Sequence, residues 1–167
     1  MMDNVLNKAR AGQNSLEQLV NAIPGFAGYR EKELRRDTDR IQREFLATRL
    51  ESCKKALDGA SVAASRVGAL DAINDIETAR KRLDKVTARI RYADRGYAGF
   101  FDAIKVKEDV LERVYQFDLD LLGGVDAVKS ASESASSEPA GVVAMIAALD
   151  ALDGRLAERE AILSGIQ

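Results

Sequence analysis

The chain contains 167 residues, of which 46% are hydrophobic and 31% charged, and its formal net charge is −2. A chain of this length can bury roughly 70% of its unfolded surface as one domain, and only two prolines limit its helices. The absence of histidine removes the commonest proton-transfer group and metal ligand, and a single cysteine, Cys53, excludes an intramolecular disulfide. We therefore predict an all-α protein that is not an enzyme and needs no cofactor or metal.

The sequence shows neither a membrane-spanning segment nor a secretory signal. Its longest mostly apolar run, residues 139–149, is shorter than the roughly 18 residues that indicate a spanning helix. The first residues lack the basic segment and following apolar segment of a signal peptide. We therefore expect a cytoplasmic location.

Apolar residues spaced three or four apart predict a series of helices. The first covers residues 3–22 and ends before the loop that begins at Pro24-Gly25. The second runs from Tyr29 to about Asp58, and the third runs from about Ala60 to Ala93. Because Asp58-Gly59 allows a tight reversal, these two helices are predicted to form a long central αα-hairpin.

The remaining elements complete an antiparallel bundle of about five helices. The fourth helix begins near Asp102 or Lys107 and carries a wide apolar stripe to Ser130. We predict a main bundle in residues 1–130 and a mobile serine-rich linker in residues 131–140. Residues 141–167 then form a C-terminal helix, with Pro139 near its start, that packs on the bundle or on a partner.

A near repeat recurs between helices, reading glycine, aromatic, alanine, glycine, aromatic at residues 25–29 and again at 96–100. In an up-down bundle both loops lie at the same pole, so their aromatic side chains should be neighbours. Two interpretations remain open. The glycines and aromatics either supply turns and fill the end of the core, or form a protein-docking surface. The candidate docking residues are Gly25, Phe26, Gly28, Tyr29, Gly96, Tyr97, Gly99, Phe100 and Phe101.

Charge is distributed unevenly along the chain. Residues 1–106 hold 20 basic and 15 acidic side chains (+5), whereas residues 107–167 hold 5 and 12 (−7). The densest basic stretch could contact phosphates, but its favoured role is pairing with the acidic C-terminal third. Nucleic-acid binding is not expected, because the sequence pI is near 5.4 and no recognition module is present. The basic-face candidates are Arg80, Lys81, Arg82, Lys85 and Arg89.

Carboxylates could bind metal ions without histidine, so a metal-dependent hydrolase is one alternative function. The candidate groups are not convincing, because acidic residues at a helix start complement the helix dipole. No second acidic motif of matching spacing accompanies the pair on the third helix. The groups considered are Glu108 with Asp109 and Glu112, Asp71 with Asp75, and Asp118 with Asp120.

The pattern favours a non-enzymatic scaffold or adaptor that self-associates and docks a protein partner, either at the paired loops or in a groove beside the last helix. A long basic helical hairpin followed by an acidic helical remainder also resembles membrane-remodelling filament proteins of the ESCRT-III and phage-shock kind. That resemblance lies in charge layout and helix length, with no shared motif. It implies a peripheral protein that binds a membrane surface through its basic hairpin.

Overall fold

The computed structural model describes residues 15–93 and 98–165 of the chain. Within these ranges every regular element is a helix, which confirms the all-α class. The predicted helix at residues 3–22 is described only from residue 15, and residues 15–22 are helical (α1). A 3₁₀ turn, Lys32–Leu34, then precedes the other α-helices, which are α2 (Arg35–Ser52), α3 (Lys54–Arg66), α4 (Leu70–Arg91), α5 (Ala98–Asp102), α6 (Glu108–Ala135) and α7 (Pro139–Ser164).

The chain divides into two compact units that differ from the predicted partition at residues 130 and 141. Unit 1 comprises Met1–Phe45, Tyr92–Leu121 and Arg155–Gln167, and unit 2 comprises Leu46–Arg91 and Leu122–Gly154. Three of the four unit boundaries fall inside α2, α6 and α7, so a division based on loops in the sequence could not find them, and the fourth falls at the end of α4.

The core of unit 1 is built around aromatic rings. Residues from α1, the loop after it, α5, α6 and the end of α7 contribute to one buried cluster. Its members are Leu19, Ile23, Phe26, Tyr29, Phe100, Phe101, Leu111, Val114, Tyr115 and Leu163.

Within unit 2, α3 and α4 pack against each other and are joined by the turn at residues 67–69. The predicted reversal at Asp58-Gly59 is wrong, because Gly59 lies inside α3. A glycine inside a helix costs only about 1 kcal/mol relative to alanine, which packing can offset. The chain turns instead at Gly68, whose φ of 65° is a left-handed conformation that glycine adopts without strain.

The predicted mobile linker at residues 131–140 also requires correction. Helix α6 continues to Ala135, and Pro139 is the first residue of α7, so only residues 136–138 lie between the helices. Serine hydroxyls in this stretch donate to carbonyls of the preceding turn, as Ser132 Oγ does to Lys129 O at 2.7 Å. Because its hydroxyl has this hydrogen-bond partner, Ser132 can be buried within α6. The position of Pro139 confirms the predicted helix start.

No helix in residues 15–93 and 98–165 combines the length and the apolarity that crossing a bilayer requires.

Candidate functional site

The two copies of the glycine-aromatic repeat differ in structure where both are described. The first copy is a loop in which Gly25 and Gly28 both have φ of 85°. A Cβ on Gly28 would lie 2.8 Å from the Tyr115 hydroxyl oxygen, so this position needs glycine for space as well as for conformation. In the second copy Gly96 and Tyr97 lie outside the described residues, while Gly99 and Phe100 belong to α5 rather than to a loop.

The aromatic side chains nevertheless meet, as predicted for Phe26, Tyr29, Phe100 and Phe101. Ring centroids lie 5.8 Å apart for Phe26 and Tyr29, 5.5 Å for Tyr29 and Phe100, and 5.4 Å for Phe100 and Phe101. All four side chains are at most 4% exposed. Their burial favours the interpretation that the aromatics fill the core, since none of them offers a surface to a partner in this conformation.

Next to this cluster, beginning at Tyr29, lies a buried network of charged and polar side chains that the sequence pattern did not predict. The hydroxyl of Tyr29 donates to Asp118 Oδ2 at 2.7 Å. Arg159 Nε donates to the other oxygen of Asp118 at 2.6 Å, and its Nη2 donates to Asp39 Oδ1 at 3.0 Å. Arg159 is only 3% exposed, and both carboxylates are buried. One guanidinium thus joins α2, α6 and α7 within unit 1.

Two further side chains complete the network. Gln42 Oε1 accepts from Arg159 at 3.2 Å and lies 3.0 Å from the Tyr29 hydroxyl, whose single proton it shares with Asp118. Gln42 Nε2 is buried without a partner among the described residues. Arg43 Nε donates to Asp39 Oδ2 at 2.7 Å, so Asp39 faces two cations. Among the described residues Asp118 pairs with the single cation Arg159, so the neutrality of its surroundings depends on that residue.

Backbone contacts fix Tyr29 in the network. Its amide donates to the Tyr115 hydroxyl at 2.8 Å, and its carbonyl accepts from Arg35 Nε at 2.7 Å. Burial, followed by the adjacent Asp118 carboxylate, raises the pKa of Tyr29 well above its ordinary value. The hydroxyl therefore remains a donor at neutral pH. The network, whose charges compensate one another, holds three helices of unit 1 together.

The basic stretch of α4 pairs mainly with acidic residues of α7, as the charge distribution predicted. Arg82 binds Asp150, while Lys85 and Arg89 bind Asp153 at 3.3 and 2.6 Å. Hydrogen bonding from Arg89 lowers the pKa of Asp153 below its ordinary value. Arg80 binds Asp58 of α3 at 2.6 Å, and Lys81 is exposed. Most of the charges that a phosphate or a membrane surface would need are already engaged within the chain.

The candidate metal-binding carboxylates are dispersed. Glu108 pairs with Arg30, Asp118 belongs to the buried network, and Asp120 lies 3.6 Å from Arg155. Within the part of the chain that the structure describes, no three cysteine, aspartate or glutamate side chains are grouped to hold a metal ion.

Unit 2 contains a cavity of about 270 Å³ beside the start of the last helix, which we call the apolar groove. Its walls include Ala60 and Ala64 of α3, Ala72 of α4, and Ala135 and Val142 of α6 and α7. Four large apolar residues that line it or adjoin its lining in the sequence are more than half exposed, and we call them the apolar rim: Val62 at 52%, Val67 at 78%, Leu70 at 72% and Val143 at 57%. The sequence pattern predicted a groove beside the last helix but not these residues.

No family model, curated protein or solved structure matches this chain. The apolar groove, its rim and the surface charges are therefore the basis for inferring a function.

Proposed function

We propose that the protein is a non-enzymatic helical scaffold that self-associates through the apolar groove and apolar rim of unit 2. The observation that carries this proposal is a preformed apolar groove lined by Val67, which is 78% exposed, with exposed Val62, Leu70 and Val143 next in sequence to its lining residues. Exposed apolar side chains occur singly on most soluble proteins, whereas an open apolar groove is typical of an interaction surface. Burying such side chains between two chains supplies the main driving force for association.

The chemistry of the groove favours a second copy of this chain as the occupant. Glu138 is the one charged residue among the described residues that line the groove, so the lining selects neither an acidic nor a basic partner. In a twofold dimer the same patch meets itself, and a predominantly apolar patch is complementary to its own copy. The alanine walls offer only methyl groups, which allow the rim of a partner chain to approach closely.

The test measures molar mass against protein concentration by analytical ultracentrifugation. The wild-type chain is expected to show a reversible monomer–dimer equilibrium. Val67→Glu should raise the dimer dissociation constant by about tenfold or more, because a twofold interface would bury the new carboxylate once on each chain. A tenfold change requires a loss of only about 1.4 kcal/mol, which is less than burying a carboxylate is expected to cost. Leu70→Glu should act in the same direction.

Val20→Glu is the matched control, because it makes the same change at an exposed valine in α1 of unit 1. It should leave the dissociation constant unchanged. A wild-type chain that remains monomeric at all concentrations would contradict the proposal, as would equal weakening by Val20→Glu and Val67→Glu. Circular dichroism of each variant shows whether the helices are retained.

A further inference from the structure

Unit 1 carries a second groove, which we call the cationic groove. It is formed by the segment that leads into α6, the first turns of α6 and the last turn of α7, and it has a volume of about 520 Å³. Three cations, Lys105, Lys107 and Arg113, border it, and no described residue that lines it is acidic. Its floor includes Val106, Val110 and Ile162.

The three cations differ from most of the other cations that the structure describes. Arg30, Arg36 and the arginines of α4 are engaged with carboxylates. By contrast, none of the three cations around this groove has an ion-pair partner among residues 15–93 and 98–165, and all three are exposed. Three like charges that border one groove without an acidic lining residue repel one another, and this repulsion is relieved when an anionic partner binds.

We propose that the cationic groove binds an acidic peptide segment of a partner protein, with carboxylates on Lys105, Lys107 and Arg113 and an apolar side chain on the valine and isoleucine floor. This proposal concerns a different surface from self-association and does not depend on it. Charge complementarity argues for acidic residues, and the apolar floor argues for a ligand that carries aliphatic side chains between its charges.

Other anionic ligands fit the groove less well. A free phosphate has nothing to place on Val106, Val110 and Ile162, and no described aromatic residue lines the groove to stack a nucleobase. A bilayer surface is flat, whereas these three apolar residues are only partly exposed and pack against the core of unit 1. A peptide side chain can enter such a recess, and a lipid surface cannot.

The test uses a short fluorescent peptide in which leucines are flanked by glutamates, with anisotropy as the measure of binding to the full chain at low salt. The wild type is expected to bind this peptide, and binding should weaken as salt rises. Replacing Lys105, Lys107 and Arg113 by glutamate should raise the dissociation constant by about tenfold or more, because like charges would then face one another. The corresponding glutamine variant should show a smaller loss.

Controls separate the groove from general charge effects. Lys55→Glu with Lys81→Glu reverses two exposed cations of unit 2 and should change binding little. A peptide with serine in place of leucine, and one with lysine in place of glutamate, should both bind more weakly. The proposal is overturned if the wild type does not bind the leucine–glutamate peptide, if reversing the groove charges leaves affinity unchanged, or if the serine peptide binds equally well. Capture by phosphatidylserine vesicles without peptide binding would also overturn it and assign the surface to a membrane.

Discussion

Replacing Arg159 by methionine tests whether the buried network of unit 1 determines its stability. Arg159 is 3% exposed and donates to Asp118, Asp39, Gln42 and Tyr29 at distances of 2.6 to 3.2 Å. Methionine fills a similar length but supplies no charge and no donor. Asp39 then keeps Arg43, whereas Asp118 loses the cation that pairs with it and keeps the neutral hydroxyl of Tyr29.

The expected loss follows from the carboxylate that remains. Removing one partner of a buried ion pair costs about 3–5 kcal/mol, because an uncompensated charge stays out of water. We expect Arg159→Met to lower the free energy of unfolding by this amount, measured by urea denaturation with far-UV circular dichroism. Asp118→Asn added to Arg159→Met should recover part of the loss, because it removes the orphaned charge and retains an acceptor for Tyr29.

Arg155→Met is the matched control, since Arg155 lies one turn earlier on α7 and pairs with Asp120 and Glu158 at a half-exposed position. Exposed ion pairs contribute about 0–1 kcal/mol, so this variant should be nearly as stable as the wild type. Equal losses for Arg155→Met and Arg159→Met would refute the reasoning. So would a double variant with Asp118→Asn that is no more stable than Arg159→Met alone.

Two further predictions concern the loop and its tyrosine. Folding raises the pKa of Tyr29 above its unfolded value of about 10. The protonated hydroxyl therefore contributes its full stabilisation below about pH 10, and this stabilisation is lost as pH rises through the folded pKa. The loss is at most about 1.4 kcal/mol per pH unit. Urea denaturation above pH 10 should show a shallower fall for Tyr29→Phe, although its stability at neutral pH is lower. Identical slopes would contradict this assignment. Gly28→Ala should cost about 2 kcal/mol, because of its positive φ and the Tyr115 hydroxyl nearby, whereas Gly59→Ala should stabilise α3 by about 0.5–1 kcal/mol. A tolerated Gly28→Ala would show that the loop can rearrange.

The helical periodicity of the chain predicted its class and most of its helices, because long stripes of apolar residues leave few alternatives. Glycine positions were less informative. Gly59 lies inside α3, whereas Gly68 lies in the turn after it. Which of the two glycines forms the turn depends on the packing of α3 against α4, which a local sequence pattern does not contain. The serines of residues 130–137 suggested a linker, whereas their hydroxyls bond within α6 and the turn that follows it.

The aromatic cluster and the buried network of unit 1 could be predicted only in part, because they also depend on packing between distant segments. The near repeat correctly predicted that Phe26, Tyr29 and Phe100 are neighbours, although it did not show that they are buried. Arg159 carried a signal that could have revealed the network, since it lies three residues after Leu156 and four before Leu163 on the buried stripe of α7. A charge at such a position needs a buried partner of opposite sign. Its partners come from distant segments, so the sequence alone does not identify them.

The most direct test of self-association through the apolar groove is amide hydrogen exchange measured at low and at high protein concentration. Wild-type chains at high concentration should exchange more slowly at residues 62–72 and 136–143, which contain the apolar rim and part of the groove wall, and Val67→Glu should abolish that difference. Exchange that does not depend on concentration, or protection confined to unit 1, would contradict the proposal.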